Sequence, residues 1–366
     1  MRTVSAVAWV HAIWRGDTMG ARAVRSALLP ASWVFGAIVA RRNARFDAAT
    51  LRRAALPSLS VGNLTVGGTG KTPVAAWCVE QLRARGARPA IVMRGVGDDE
   101  WRVHGLLNPG TPVIVSADRS DGVFTARARG ADCVVLDDAF QHRQAARVAD
   151  VVLVSADGFS GRAHLLPAGP YREPLTALRR AQAVIVTVKA ADASQVRDVV
   201  AAVHAAAPDV PVAVARLAPK SLRMAVSLRT GTPDRSAPPP PRGLLSHGAE
   251  WVAGREFSVT SAIGDPDAFE RQLVALGASI RRTHRFADHH AYTAAEAETI
   301  ASGASGCAGV ICTLKDAVKL EPLWPREAPP LWYLSQSVVV ERGAEVLDRV
   351  LTRVLTARTA TAPTAG

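Results

Sequence analysis

The chain has 366 residues, 48% of them hydrophobic, and a formal charge of +12. That length exceeds what one compact core usually holds, so two domains are expected, and the apolar content excludes a largely disordered chain. Arginine supplies nearly all of the positive charge; it favours an anionic partner, but no DNA- or RNA-binding motif accompanies it, and nucleic acid is not the expected one.

The first distinctive segment is "RSALLPASWVFGAIVARR", residues 25–42. Its uncharged run, Ser26 to Ala40, is bounded by arginines and contains Trp33 and Phe35. The run is short for a bilayer crossing, which takes about 20 residues. It fits a helix lying in the membrane interface, its arginines near the phosphates of an anionic lipid surface. Residues 1–50 are therefore expected to be a membrane-associated helical segment; an ordinary amphipathic helix packed on the domain is the alternative. A cleaved signal peptide fits poorly, because the run starts late and lacks a clear cleavage site.

From residue 56 the pattern changes. "LPSLSVGNL" reads as a strand entering a glycine loop, and "TPVAAWCVEQLRARG" as the following helix, closed by Gly86. "RPAIVMRG", "TPVIVSA", "CVVLDD", "DVVLVSA" and "AVIVTV" are further short apolar runs separated by helical segments. Apolar strands alternating with helices predict an α/β fold of the P-loop NTPase type, a mostly parallel sheet covered on both faces. Ligands in such sheets bind at the carboxyl ends of the strands, and Gly67, Arg94 and Asp137 fall just past strand ends. This core is assigned residues 51–218. Residues 219–256 are read as a linker that includes the proline-rich "GTPDRSAPPPPRG". A second, smaller α/β domain, 257–355, contains a helix in "DAFERQLVALGA" and strands in "GVICTL" and "LWYLSQSVVV". The tail 356–366 has a disordered composition. The four cysteines form neither a C-x-x-C nor a metal-ligand spacing, so they read as small buried hydrophobes in a reducing compartment.

The chemistry concentrates in "SVGNLTVGGTGKTP", residues 60–73. It ends like a phosphate-binding loop, although Thr65 stands where the usual pattern has its first glycine. Gly67, Gly68 and Gly70 let the backbone curl so that its N–H groups face a phosphate, and the next helix directs its positive end there. Thr65, Val66, Gly67, Gly68, Thr69, Gly70, Lys71 and Thr72 are the expected nucleotide-binding residues, with Lys71 on the β- and γ-phosphates and the Thr72 hydroxyl on Mg²⁺. "VVLDDAFQH" adds Asp137 and Asp138 at another strand end, where carboxylates would hold Mg²⁺ or its waters; a helix N-cap is the plainer reading.

These residues resemble one family, tetraacyldisaccharide 4'-kinase. "VGNLTVGGTGKTP" is similar to its phosphate loop, missing first glycine included. "DDAFQHR" resembles its D-D-G-F-Q-H-R, and "LLPAGPYREPLTAL" its L-L-P-A-G-P-L-R-E-P. "FADHHAYT" and "TLKDAVKL" resemble its D-H-H and T-E-K-D-A-V-K-L segments, and the order of motifs agrees from about residue 13 to 350. The resemblance implies transfer of the ATP γ-phosphate to the 4'-hydroxyl of a tetraacylated glucosamine disaccharide 1-phosphate in lipid A biosynthesis. It also implies a peripheral or monotopic position at the cytoplasmic face of the inner membrane, and two α/β/α domains whose cleft closes on ATP.

It further implies roles. Lys71 and Mg²⁺ neutralise the phosphates, with Thr72, Asp137 or Asp138, and Glu173 as metal ligands. Asp99 in "GDDEW" is the expected base, helped by His289 in "FADHH"; by spacing alone Asp98 and His290 compete. Arg94 and Arg119 bind phosphate oxygens and His142 lines the site. Glu173 could instead pair with Arg172 or Arg179. Departures from the family pattern surround the acceptor: Val96 replaces a tyrosine, Ala139 a glycine, and "GDDEW" lacks a proline. The alternatives are a membrane-associated P-loop ATPase, whose signature lysine would stand where Val66 does, or a kinase with another acceptor.

Overall fold

The structure is a computed structural model that describes residues 10, 12–14, 16–48, 54–95, 100–225, 246–288 and 290–361. Val96, Asp98, Asp99, His289 and the stretch 231–243 lie outside the described residues.

Helix α1 (Met19–Asp47) begins at Thr18, whose hydroxyl accepts the Ala21 amide at 3.2 Å. Its 29 residues span about 44 Å, longer than expected and long enough to exceed a bilayer's hydrocarbon core of about 30 Å. The uncharged run inside it covers only about 22 Å at the same rise per residue. Ser32 docks the helix by donating to the Leu165 carbonyl at 2.9 Å and accepting the Ala168 amide at 3.0 Å. The other side is bare: Trp33, Val34 and Ile38 are 71%, 62% and 62% exposed.

The first half alternates strands and helices: β1 (Ser58–Asn63), α2 (Lys71–Ala84), β2 (Pro89–Met93), α3 (Glu100–Leu107), β3 (Val113–Val115), α4 (Arg119–Ala128) and β4 (Cys133–Asp137). β5 (Ala149–Ser155), β6 (Ala183–Val188), α5 (Ala193–Ala206) and β7 (Val212–Met224) complete it. The second half holds β8 (Ser246–Gly248), β9 (Glu256–Ser261), α6 (Pro266–Ala275), β10 (Ser279–Arg285) and α7 (Ala294–Ser302). It continues through β11 (Val310–Cys312), α8 (Leu314–Leu320), β12 (Leu331–Arg342) and α9 (Ala344–Thr361).

All of these strands join one mixed sheet in the order β10-β9-β11-β12-β7-β6-β5-β1-β4-β2-β3, with β8 beside β7. Within each half the neighbours run parallel; β7 and β12 pair antiparallel and form the seam. β7 runs through the boundary that composition placed at residue 218. It tolerates Pro219, which lacks an N–H, because the pairing register shifts there, between Ser335 and Gln336 of β12.

Parallel strands buried on both faces read as continuous apolar runs, and β1, β2 and β4 are buried throughout. Alternate residues serve opposite faces. Val151, Leu153 and Ile185 face α2, and Val152, Val154, Val184 and Val186 face α5. The first face is completed by α9, whose Val346, Leu347, Val350, Leu351 and Val354 are buried among Val74, Val79 and Leu82. The final helix of the second half therefore packs into the core of the first.

The seam also places the site. β6 pairs with the start of β7, ending at Val188 opposite Arg216, whereas β11 pairs with the start of β12, ending at Cys312 opposite Tyr333. Because β7 and β12 are antiparallel, the carboxyl ends of both parallel sets point toward the middle of the ribbon and converge there. That is where α/β sheets bind ligands.

Candidate active site

Asn63, the last residue of β1, organises the phosphate loop. Its Nδ2 donates to Thr69 Oγ1 at 2.9 Å, and its Oδ1 accepts Lys71 Nζ at 3.3 Å and the Arg172 guanidinium. Val66 N donates to the Pro170 carbonyl at 2.8 Å, Thr187 Oγ1 to the Thr69 carbonyl at 2.9 Å, and Lys189 Nζ to the Gly68 carbonyl at 3.0 Å. Gly67 and Gly70 hold φ of +113° and +87°, which glycine adopts freely. Thr65 pairs in an isolated antiparallel bridge with Tyr171, so the position where a glycine is usual carries extended backbone that any residue can adopt. Thr72 is buried in the first turn of α2.

At the end of β4 two adjacent carboxylates take different partners, because Asp138 turns into the left-handed region at φ +50°. Asp138 lies 3.1 Å from Arg172 and 3.7 Å from Lys71. Burial would raise its pKa, but these two cations outweigh burial and hold the carboxyl below its ordinary value. Asp137 Oδ2 lies 2.8 Å from Nε2 of the fully buried His104; Asp137 Oδ1 is buried without a hydrogen-bond partner.

Arg119 is buried and donates to the Ser116 and Asp137 carbonyls. Burial lowers its pKa while Asp138 and Asp137 oppose the fall, and Arg94 adds to it. His142 is held below 6.5 by burial and then by Arg119, with Arg94 contributing. Arg119 thus lies within electrostatic reach of Arg94, His142, Asp137 and Asp138. From the second half, Lys315 reaches Glu100 at 2.7 Å. Burial alone would lower the Lys315 pKa, but Glu100, Asp137 and Asp288 raise it. Asp288, on the loop after β10, thus lies within electrostatic reach of Lys315.

The deciding observation is the family match: the model described as Tetraacyldisaccharide-1-P 4'-kinase covers residues 24–356. The chain belongs to the tetraacyldisaccharide-1-P 4'-kinase family. A tetraacyldisaccharide 4'-kinase of Anaeromyxobacter dehalogenans is 37% identical, covering 94% of this chain and 95% of its own. One of Halorhodospira halophila is 34% identical over 93% and 95%. A crystal structure of LpxK from Aquifex aeolicus in complex with ATP has the same fold, with a TM-score of 0.65 at 24% identity, covering 91% and 99% of the two chains.

Within this family member, the surroundings of Glu173 and His290 are defined. Glu173, a metal ligand by the resemblance, is fully buried; its Oε2 accepts Asn43 Nδ2 and Arg180 Nη2, each at 2.8 Å, while its Oε1, 3.8 Å from Arg42, is buried without a hydrogen-bond partner, as Asp137 Oδ1 is. A buried carboxylate needs compensation, and here arginine supplies it; the partners are Arg180 and Arg42, not Arg172 or Arg179. His290, the competitor of His289, is a packing residue: it stacks on Phe286 with centroids 4.7 Å apart and meets Glu296 at 3.1 Å.

Asn63, His104 and Lys315 have no role assigned from the sequence, and Arg172 stands there only as a candidate partner of Glu173. Asn63 carried a signal, since it ends a strand beside the glycine loop. His104 and Lys315 carried none, because their partners are distant in sequence. The hard-oxygen set of Asp137, Asp138 and Thr72, with one buried carboxylate oxygen unpartnered, fits Mg²⁺, which takes one or two carboxylates plus phosphate and water. Among the described residues no cluster of three or more His, Cys, Asp or Glu forms an all-protein metal cage.

Proposed function

We propose that this chain transfers the γ-phosphoryl group of ATP to the 4'-hydroxyl of a tetraacylated glucosamine disaccharide 1-phosphate, a step of lipid A biosynthesis. The observation that carries the reading is the phosphate loop gathered by Asn63 with Lys71, Asp138 and Arg172 at the convergence of strand ends, within a family match over nearly the whole chain.

Phosphoryl transfer is mainly positioning and charge neutralisation. The backbone of residues 65–70 cradles the phosphates, and Lys71 exchanges Asp138 for the β- and γ-phosphate oxygens. Thr72, Asp137 and Asp138 hold Mg²⁺, which when bound screens the phosphate charge. Arg94 and Arg119 bind phosphate oxygens beside His142, whose lowered pKa keeps it neutral. Asp99 or its neighbour Asp98, oriented by His289, accepts the proton of the 4'-hydroxyl. As that oxygen bonds to phosphorus, the bond to the bridging β–γ oxygen breaks and ADP leaves. The exposed apolar side of α1, flanked by Arg41, Arg42 and Arg45, lies in the cytoplasmic leaflet of the inner membrane and meets the acyl chains there.

The test is transfer from γ-labelled ATP to tetraacyldisaccharide 1-phosphate in detergent micelles. Labelled lipid is expected from the native chain and almost none from Asp99→Ala. No labelled lipid from folded, ATP-binding protein would overturn the acceptor assignment.

A further inference from the structure

The helix α3 follows the residues that hold the expected base, and one of its faces joins the two halves of the molecule. Glu100 and His104 stand one turn apart and so project from the same face. Glu100 takes Lys315 Nζ of α8 at 2.7 Å, and His104 takes Asp137 of β4 at 2.8 Å. His104 and Asp137 are both buried, so this contact is shielded from water.

A metal-binding carboxylate only accepts hydrogen bonds, so in that role Asp137 Oδ2 takes its hydrogen bond from the Nε2-protonated tautomer of His104. Fixing one carboxylate oxygen fixes the direction of the other. That other oxygen, Asp137 Oδ1, is buried and has no hydrogen-bond partner. A buried carboxylate oxygen left unmatched is costly, and a cation resolves the mismatch. The neighbouring Asp138 is differently placed, because Arg172 and Lys71 already occupy it.

We infer that His104 is a positioning residue for the metal: it holds Asp137 through Oδ2 so that Oδ1 is presented to the cation that accompanies ATP. The inference rests on the reading of Asp137 as a metal ligand. Groups that orient a metal-ligating side chain typically change metal affinity by about 10- to 100-fold when removed. His104 does this from a helix outside the phosphate motifs.

The experiment measures the affinity of a fluorescent ATP analogue with and without Mg²⁺, and takes the ratio as the Mg²⁺-dependent gain. The variants are His104→Leu and His104→Met, which fill the space without a donor, His104→Gln, which restores an N–H, and Asp137→Asn as a control. The expected result is a gain reduced about tenfold in the apolar variants, near-native in His104→Gln, and lost in Asp137→Asn, with metal-free affinity unchanged in the His104 variants. Two apolar variants are used so that a folding failure in one leaves the other. A native gain in the apolar variants with loss in Asp137→Asn overturns the positioning role and leaves the metal ligand standing. A native gain in every variant overturns the metal reading itself. Equal loss in His104→Gln and the apolar variants overturns the hydrogen bond in favour of packing.

Discussion

Gly264 lies directly on the phosphate loop: a Cβ there would stand 2.5 Å from Gly67 Cα and 2.6 Å from Gly68 N. The turn between β9 and α6 thus meets the loop backbone to backbone, a contact in which neither side can yield by rotating a side chain. Gly264→Ala is expected to displace the loop and weaken ATP binding by about tenfold, since a loop shift of even an ångström is costly to positioning. Isothermal titration with ATP checks this, and native affinity in the variant would mean that the turn withdraws before nucleotide binds.

Lys71 should separate activity from stability. Its partner Asp138 keeps 40% of its side chain exposed, and partly exposed ion pairs contribute little to folding. Lys71→Ala is expected to lower kcat by at least about a thousandfold, as the loss of a phosphate-neutralising charge does, while the melting temperature moves by under about 2 °C. Label transfer to lipid and a thermal melt on the same preparation decide it.

The depressed pKa of His142 gives stability a defined pH dependence. Burial, then Arg119, holds the folded imidazole below 6.5. The unfolded chain therefore binds the proton first as pH falls. The neutral histidine's contribution is intact above 6.5 and is lost as pH drops through the lower folded value. His142→Gln is expected to flatten the fall in melting temperature below pH 6.5. An identical slope in native and variant protein would place the acid sensitivity elsewhere.

The membrane reading rests on α1. Trp33, Val34 and Ile38 are large and exposed, and their apolar area is what an interface would bury. Trp33→Ser combined with Ile38→Ser should cut sedimentation with anionic vesicles about tenfold or more, with ATP binding unaffected. Retained vesicle binding would shift the anchor to the arginines alone.

Much of this was legible before any coordinates. β1, β4, β5 and β6 announce themselves as apolar runs because both faces of a parallel sheet are buried, and the loop after β1 follows from glycine and lysine spacing. β7 was not legible: Arg216, Pro219, Lys220 and Arg223 make it look like a connector, and pairing holds it extended, with β12 along its length, β6 at its start and β8 at its end. β10 was missed for a related reason, since "SIRRTHR" is a mostly exposed strand at the sheet edge, where charge prevents edge pairing. At the site, the fate of Glu173 depended on Asn43, 130 residues away, and Asp316 of "TLKDAVKL" on Ala262 and Tyr292. Asp316 accepts the Ala262 amide and the Tyr292 hydroxyl, each at 3.0 Å, and burial pushes its carboxyl pKa up. Local pattern carries no information about such contacts.

The way α9 returns beneath β1 and β5 has a consequence for how the molecule can come apart. Cleaving the backbone between residues 225 and 246 would yield two pieces that neither separate nor stand alone. The amino-terminal piece would lack the helix that seals Val74, Val79 and Leu82, and the carboxyl-terminal piece would lose β7, the partner of β12. Each fragment carries part of the other's interior, so the two halves are inherited and folded as one object, whatever freedom their facing loops retain.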